Sequence, residues 1–157
     1  MTRARGQSAL YAVLLMPTLI LIFALAVDLA GLQMQKLRLR YAVDLATVTA
    51  ATLVDAPYYS RTGQLRLEPL SATATAREYL ARNLAGTPGI ESPAAIAAAA
   101  DISVVNRTPA IDPYTGGRLD RPAICARIRT PYRFTLLGWI GLNRVDVTIA
   151  ADAEIRS

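Results

Sequence analysis

The chain has 157 residues, of which 53% are hydrophobic, so it is long and apolar enough to fold and is not a disordered polypeptide. Its net charge is +5, but the arginines are dispersed among acidic residues, which argues against a nucleic-acid interface. It contains no histidine and a single cysteine, Cys125, which excludes an intrachain disulfide and a CxxC zinc site.

The first predicted element is a membrane-spanning helix over residues 8–27. The run from Ala9 to Val27 carries no charge, and as a helix it would cover about 28 Å, close to the ~30 Å hydrocarbon core of a bilayer. Pro17 lies inside the run, but prolines are tolerated in membrane helices because neighbouring groups satisfy the freed carbonyl. Residues 1–7 would then form a short segment on one side of the membrane.

A cleaved signal peptide is the alternative for the same segment. Arg3 and Arg5 form a basic stretch before the apolar run, and Ala24-Leu25-Ala26 fits the small-x-small rule for cleavage after Ala26. The length of the run and its continuation as a helix favour the anchor. Charge does not decide the orientation, because basic residues lie on both sides of the run.

The helix is predicted to continue through residues 28–56 as an amphipathic extension, because this stretch has no proline, and Pro57 is expected to end it. One apolar stripe is predicted to be its packing face: Leu39, Val43, Ala46, Ala50 and Leu53. A second apolar stripe lies beside it: Leu37, Tyr41, Leu45 and Val48. This face could pack on the chain's own C-terminal domain alone, or on a helix of another subunit as well. The sequence leaves both interpretations open.

Residues 57–157 are predicted to form an α+β head. Its first part, residues 57–69, is expected to be a connector, and a helix is expected over residues 71–84 with Ser71 as its N-cap. The alanine-rich sequence of residues 93–100 predicts another short helix.

Three strands are predicted in the head, over residues 101–107, 123–133 and 144–156. They would form a small antiparallel sheet with one face against the helices. The second and third strands are expected to be neighbours, with Arg127 and Arg129 paired across them to acidic residues of the third strand. The alternative for these arginines is binding to lipid headgroups or to a cell-envelope polymer.

Two further features of the head concern burial. Cys125 lies inside an alternating apolar run and is expected to be a buried structural thiol. The segment 134–142, which contains Trp139, is apolar and is expected either to join the core or to lie against the membrane or a partner.

Four features of the N-terminal part occur in a distinctive order. They are Arg5-Gly6-Gln7, Ala26-Val27-Asp28 at the end of the apolar run, the basic stretch from Lys36 to Arg40, and the alanine-rich helix from Ala42 to Ala51 with Asp44. This order resembles the N-terminus of TadE/TadG-like proteins of bacterial tight-adherence pilus systems. The resemblance implies a single-pass protein of the bacterial cytoplasmic membrane, with residues 1–7 in the cytoplasm and the head outside.

The resemblance also implies a processing site. Gly6 and Gln7 would flank a cleavage of the type that prepilins undergo. In type IV prepilins a glutamate stands five positions after the glycine, whereas this chain has Tyr11 there. Cleavage after Gly6, cleavage after Ala26 and no cleavage all stay open at this point, as does the role of Tyr11.

The motifs of common catalytic sites, such as GxSxG, a Walker loop or HExxH, do not occur in the sequence. We therefore expect a structural protein rather than an enzyme, with no cofactor, no metal and no small-molecule substrate. The expected function is that of a minor pilin-like subunit or an assembly protein, with the cytoplasmic membrane and other pilus subunits as partners. A secreted soluble binding module, released after Ala26, is the alternative function.

Overall fold

The structure is a computed structural model that describes residues 3–155, except for the side chains of residues 3–10 and 12. Its axis is a single helix, α1 (Arg3–Ala50), of 48 residues, which at 1.5 Å per residue is about 72 Å long. Pro17 lies within α1 and does not end it. The predicted continuity of the apolar run with the amphipathic extension is therefore confirmed.

The end of α1 differs from the prediction, which extended the helix to residue 56. The helix ends at Ala50 because the next residues pair with a later segment: the Asp55 N–H donates to the Arg66 carbonyl (2.8 Å), and the Glu68 N–H donates to the Leu53 carbonyl (3.0 Å). These hydrogen bonds require extended backbone, which is incompatible with further helical turns.

Pro57 lies in the first turn of a helix instead of ending one, because α2 (Ala56–Thr62) occupies the first part of the expected connector over residues 57–69. The carboxylate of Asp55 caps this helix by accepting a hydrogen bond from the Tyr58 N–H at 2.9 Å. Proline suits the first turn of a helix because its missing N–H would have no partner there.

Two more helices follow, α3 (Pro69–Leu84) and α4 (Pro93–Ala98), and both confirm predicted elements. The predicted N-cap Ser71 is wrong, because the cap of α3 is Glu68, whose carboxylate accepts hydrogen bonds from the backbone N–H groups of Leu70 and Ser71. Helix α3 buries one stripe against α1: Ala72, Ala76, Leu80 and Leu84.

The strands form the predicted small antiparallel sheet. Its three strands are β1 (Asp101–Val105), β4 (Ala123–Arg133) and β5 (Arg144–Glu154), in the spatial order β1-β4-β5. Two short strands, β2 (Ala110–Ile111) and β3 (Arg118–Leu119), pair separately in the connection between β1 and β4. One face of the sheet packs on α1 and α3, which gives the α+β arrangement that the sequence predicts.

The C-terminal half of α1 lies in the centre of the head's core. Four residues of the predicted packing face are buried there, in contact with α3 and the sheet: Leu39, Val43, Ala46 and Ala50. Leu53, the fifth, is partly buried and lies beyond the end of the helix. The second stripe stays exposed, with 66% of Leu37 and 68% of Tyr41 accessible. The head thus covers one apolar face of α1 and leaves the neighbouring face bare.

The predicted charge pairs between β4 and β5 are wrong, because the strand register places Ala150 opposite Arg127 and Thr148 opposite Arg129. Arg127 instead forms an ion pair with Asp101 on the other neighbouring strand, β1, at 2.8 Å. Residue alternation gave the correct face, but the partner depends on the register, which alternation alone does not determine.

We predict that Ala46→Glu destabilises the head by about 3–5 kcal/mol, the typical penalty for an uncompensated charge in a protein core. Ala46 is only 2% exposed and lies in a cluster of buried hydrophobic residues, so the new carboxylate would lose its hydration there. Tyr41→Glu places the same charge on the exposed stripe of the same helix and should change stability by less than about 0.5 kcal/mol. Unfolding of the full chain in detergent, followed by circular dichroism, compares the two variants. Equal losses in both would contradict the assignment of faces.

Candidate functional site: the junction of the apolar helix and the head

The N-terminal half of α1 presents apolar side chains in every direction. Among the side chains described between residues 11 and 27, only Ala24 is partly covered and the others are exposed. The helix is long and apolar enough to cross a membrane, and 6% of its most apolar window is buried. A core helix of a soluble protein would be mostly buried, whereas a membrane anchor or an N-terminal signal sequence would look like this segment.

Asp28 is the first buried residue along the part of α1 whose side chains are described, and it is 1% exposed. Its carboxylate accepts three backbone hydrogen bonds, from the N–H groups of Thr135 (3.0 Å), Leu136 (2.9 Å) and Leu137 (2.6 Å). Hydrogen bonds to an ionised group are stronger than those between neutral groups. A single side chain at the end of the apolar run thus holds a loop that lies 109 positions away in sequence.

The three donors belong to the start of a short 3-10 helix, Leu137–Ile140, and to the residues before it. The first N–H groups of any helical turn have no partner within the turn, and they favour a negative charge. Asp28 therefore acts as the N-terminal cap of this turn, although it comes from a different element. The physical result is a fixed connection between the end of the apolar segment and the head.

Tyr132 makes a second contact at the junction, through a close approach to Gly31. Its hydroxyl donates a hydrogen bond to the Asp28 carbonyl at 3.3 Å, and its ring packs edge-to-face on Phe134 with 5.4 Å between centroids. A Cβ atom at position 31 would collide with the Tyr132 Oη, so only glycine allows this approach. Burial, and then the charge of Asp28, raise the pKa of Tyr132, so its hydroxyl keeps the proton that it donates.

Strand β4 runs along α1 in the opposite direction, toward the apolar segment. At its start, Ile124 shares a cluster with Ala50 near the end of α1, and near its end Tyr132 lies against Gly31. The turn between β4 and β5, residues 134–143, which we call the hairpin tip, therefore lies at the end of the head nearest the apolar segment.

The hairpin tip is not part of the core, with one exception. Leu137 is buried, but Trp139 is 91% exposed, and Ile140 and Leu142 are also exposed. Of the two expectations for this segment, burial in the core is therefore wrong for these three residues. The tip adds an exposed apolar surface beside the end of the apolar helix.

The predicted processing residues lie at the opposite end of α1. The backbone of Gly6 and Gln7 is helical, and the side chain of Gln7 lies outside the described part of the chain. Tyr11 is exposed on the helix surface. The fold brings none of these residues to the junction, and cleavage after Gly6 stays a prediction.

Residues 6–53 match the Tad family model, described as "Putative Flp pilus-assembly TadE/G-like". The chain is TadE/TadG-like over this segment. Comparisons with curated proteins and with solved structures find no match. The Tad segment contains the apolar half of α1, Asp28, Gly31 and the buried stripe, so it includes every α1 residue of the junction.

Asp28 and Gly31 are the junction residues of the Tad segment whose contacts sequence reasoning missed. Asp28 was visible as the first charge after an uncharged run, and Gly31 as the one glycine in the stretch from Asp28 to Ala56, which has no proline. Both are local exceptions to the helix pattern, which often mark sites of contact. Their partner loop could not be identified, because it lies more than 100 positions away.

The head outside the Tad segment also buries a small polar cluster around Cys125. Burial, and then the Asp112 carboxylate, raise the pKa of the Cys125 thiol to about 12, which keeps it protonated and unreactive. Burial acts to raise the pKa of Asp112, but hydrogen bonds, chiefly from the Thr115 hydroxyl and the Tyr114 backbone N–H, together lower it below its usual value. The prediction of a buried structural cysteine is confirmed. No group of three or more metal-ligating side chains occurs within residues 3–155 as described.

We predict that Asp28→Asn releases the hairpin tip. An amide has one acceptor oxygen and no charge, so it cannot replace the carboxylate that accepts three N–H groups. The amides of Thr135, Leu136 and Leu137 should then exchange hydrogen faster, as measured by hydrogen–deuterium exchange of the full chain in detergent. Asp44→Asn removes an exposed carboxylate of the same helix and is the matched control. Unchanged protection at positions 135–137 in Asp28→Asn would refute the connection.

We also predict that the effect of Gly31→Ala depends on Tyr132. In an unhindered helix, alanine is about 1 kcal/mol more stable than glycine. Here the added methyl group displaces the Tyr132 hydroxyl, so Gly31→Ala should lower the melting temperature. Tyr132→Phe removes that hydroxyl and leaves the ring carbon Cζ at an ordinary 3.6 Å from the new methyl group. Thermal melting of the two single variants and the double variant should therefore show Gly31→Ala stabilising the Tyr132→Phe background. Stabilisation by Gly31→Ala in both backgrounds would contradict the close approach.

Proposed function

We propose that the protein is a membrane-anchored structural component of a tight-adherence type pilus, either a minor pilin-like subunit or an assembly protein. The observation that supports this best is that one helix is shared: its N-terminal half is apolar and exposed, and its C-terminal half is the centre of the head's core. The Tad match over residues 6–53 provides the pilus-assembly context.

In this proposal the apolar half of α1 crosses the cytoplasmic membrane once. Residues 1–7 face the cytoplasm and the head lies outside it, as the TadE/TadG resemblance implies. The described burial agrees with a boundary near residue 28, because the side chains before it are exposed and apolar and those after it begin to contact the head.

The proposed partners are other pilus or pilus-assembly subunits, which would contact the bare face of α1. This face continues the apolar segment beyond the membrane boundary: Leu37, Tyr41, Leu45 and Val48 are all exposed. An exposed apolar stripe on a helix is typical of a surface that packs on another helix. The buried stripe cannot serve this purpose, since the chain's own head already covers it.

A secreted binding module, released after Ala26, is the second candidate. One observation favours it: among the described side chains of α1, Asp28 is the first that forms hydrogen bonds with the head, so cleavage after Ala26 would leave these bonds intact. Against it, the released protein would expose the stripe of α1 and the hairpin tip to water.

We predict that alkaline extraction of native membranes leaves the protein in the membrane fraction. We also predict that protease added to intact cells or spheroplasts, outside the cytoplasm, reaches its head. Mass spectrometry of the N-terminus then distinguishes the forms. A chain starting at Gln7 would support prepilin-type processing, and an intact N-terminus would support an uncleaved anchor. A soluble product starting at Val27 would overturn the proposal in favour of the secreted module.

Association with other subunits has its own matched pair of variants. Tyr41→Glu keeps the head folded but places a charge on the bare face of α1, so it should reduce co-purification with the pilus-assembly partners. Glu78→Gln changes an exposed residue on α3, away from this face, and should leave the co-purification unchanged. If the unsubstituted chain and both variants co-purified equally with these partners, the bare face would not be a docking surface.

A further inference from the structure

The hairpin tip combines two kinds of exposed group in one small region. Trp139, Ile140 and Leu142 point their apolar surfaces to solvent, with Trp139 91% exposed. Tryptophan that is this exposed is unusual in a folded domain, and in membrane proteins it is enriched at the level of the lipid headgroups.

Two arginines stand at the base of the tip. Arg133 and Arg144 are direct partners in the β4–β5 register, and both are exposed. Neither forms an ion pair with a carboxylate in the part of the chain that the structure describes. Like charges placed directly opposite in a sheet repel each other, so an anion bound between them would be stabilising.

The position of the tip is fixed relative to the apolar helix. Asp28, the residue after the uncharged run, holds the backbone of Thr135, Leu136 and Leu137, and the exposed apolar residues follow within five positions. If the run from Ala9 to Val27 spans a bilayer, its end lies at the headgroup region, and the tip lies at the same level.

We propose that the hairpin tip is a second membrane contact, which inserts Trp139, Ile140 and Leu142 at the boundary between headgroups and acyl chains while Arg133 and Arg144 bind lipid phosphates. This inference rests on the proposed membrane span. The occupant is a lipid surface rather than a protein, because the apolar surface of the tip adjoins the segment that lipid surrounds and is flanked by cations that match phosphate. The contact would hold the head at a fixed tilt against the membrane.

Trp139 is the single tryptophan of the chain, so its fluorescence reports on the tip alone. We would reconstitute the full chain into phosphatidylcholine vesicles with and without phosphatidylglycerol, and with brominated acyl chains as quenchers. We expect emission shifted to shorter wavelength, loss of intensity with brominated lipid, and a larger loss when phosphatidylglycerol is present.

Control variants separate the tip from the rest of the head. In Trp139→Phe/Tyr59→Trp the reporter moves to α2, near the C-terminal end of α1, and should not be quenched by brominated lipid. Ile140→Ser/Leu142→Ser should reduce the quenching of Trp139, whereas Leu70→Ser, which changes an exposed leucine of α3, should leave it unchanged. Arg133→Gln/Arg144→Gln should abolish the extra quenching caused by phosphatidylglycerol.

Alkaline extraction of the same vesicles distinguishes the two ways in which the idea can fail. An extractable chain would overturn the proposed span, and with it the tip contact. A chain that resists extraction but whose Trp139 is unaffected by brominated lipid would overturn the tip contact and leave the span in place. Protection of Trp139 from iodide without quenching by lipid would assign the tip to protein contacts and would also overturn the lipid proposal.

Discussion

The hydrogen bonding of one carboxylate determines how the parts of this molecule are arranged. Asp28 follows the apolar run directly, and it accepts hydrogen bonds from three backbone N–H groups of a turn that lies more than 100 positions away in sequence. Without these bonds, the first N–H groups of the turn would need water or another acceptor. Because the acceptor is on α1, the turn is fixed to the helix at the point where exposed apolar residues give way to buried ones.

A shared helix imposes the second constraint. Helix α1 provides an apolar segment whose described side chains before Asp28 are exposed except for the partly covered Ala24, and it also provides the central layer of the head. After Asp28 the two roles are divided between faces of the same helix. One face, repeating every 3.6 residues, must fit α3 and the sheet, while the side chains of the other faces stay exposed. Small residues such as Ala42 and Ala46 on the buried face allow α3 to approach closely, as expected where two helices pack without large side chains between them.

The sequence predicted what depends on local pattern. Uncharged length indicated the apolar helix, alternation gave β4 and β5, and alanine content gave α4. The errors arise where a non-local partner decides. Helix α1 stops at Ala50 because residues 53–55 pair with residues 66–68, and Arg127 binds Asp101 because of the register of β1. The junction was missed for the same reason. The three groups that donate to Asp28 are backbone N–H groups, which are the same at every position and leave no trace in the sequence.

The packing of β5 on α1 has a consequence for the order of biogenesis. Val147 and Ala151 of β5 share a core with Leu39 and Val43 of α1, although the strand is made about a hundred residues later. In an anchored chain, α1 would enter the membrane while the groups that cover its buried stripe are still in the ribosome or the translocation channel. The head can close only after β5 has crossed, so for that interval the stripe is bare and open to chaperones or to a neighbouring subunit. In such an anchored chain, translocation and folding of the head would therefore be coupled steps, and the passage of β5 across the membrane would end the exposure.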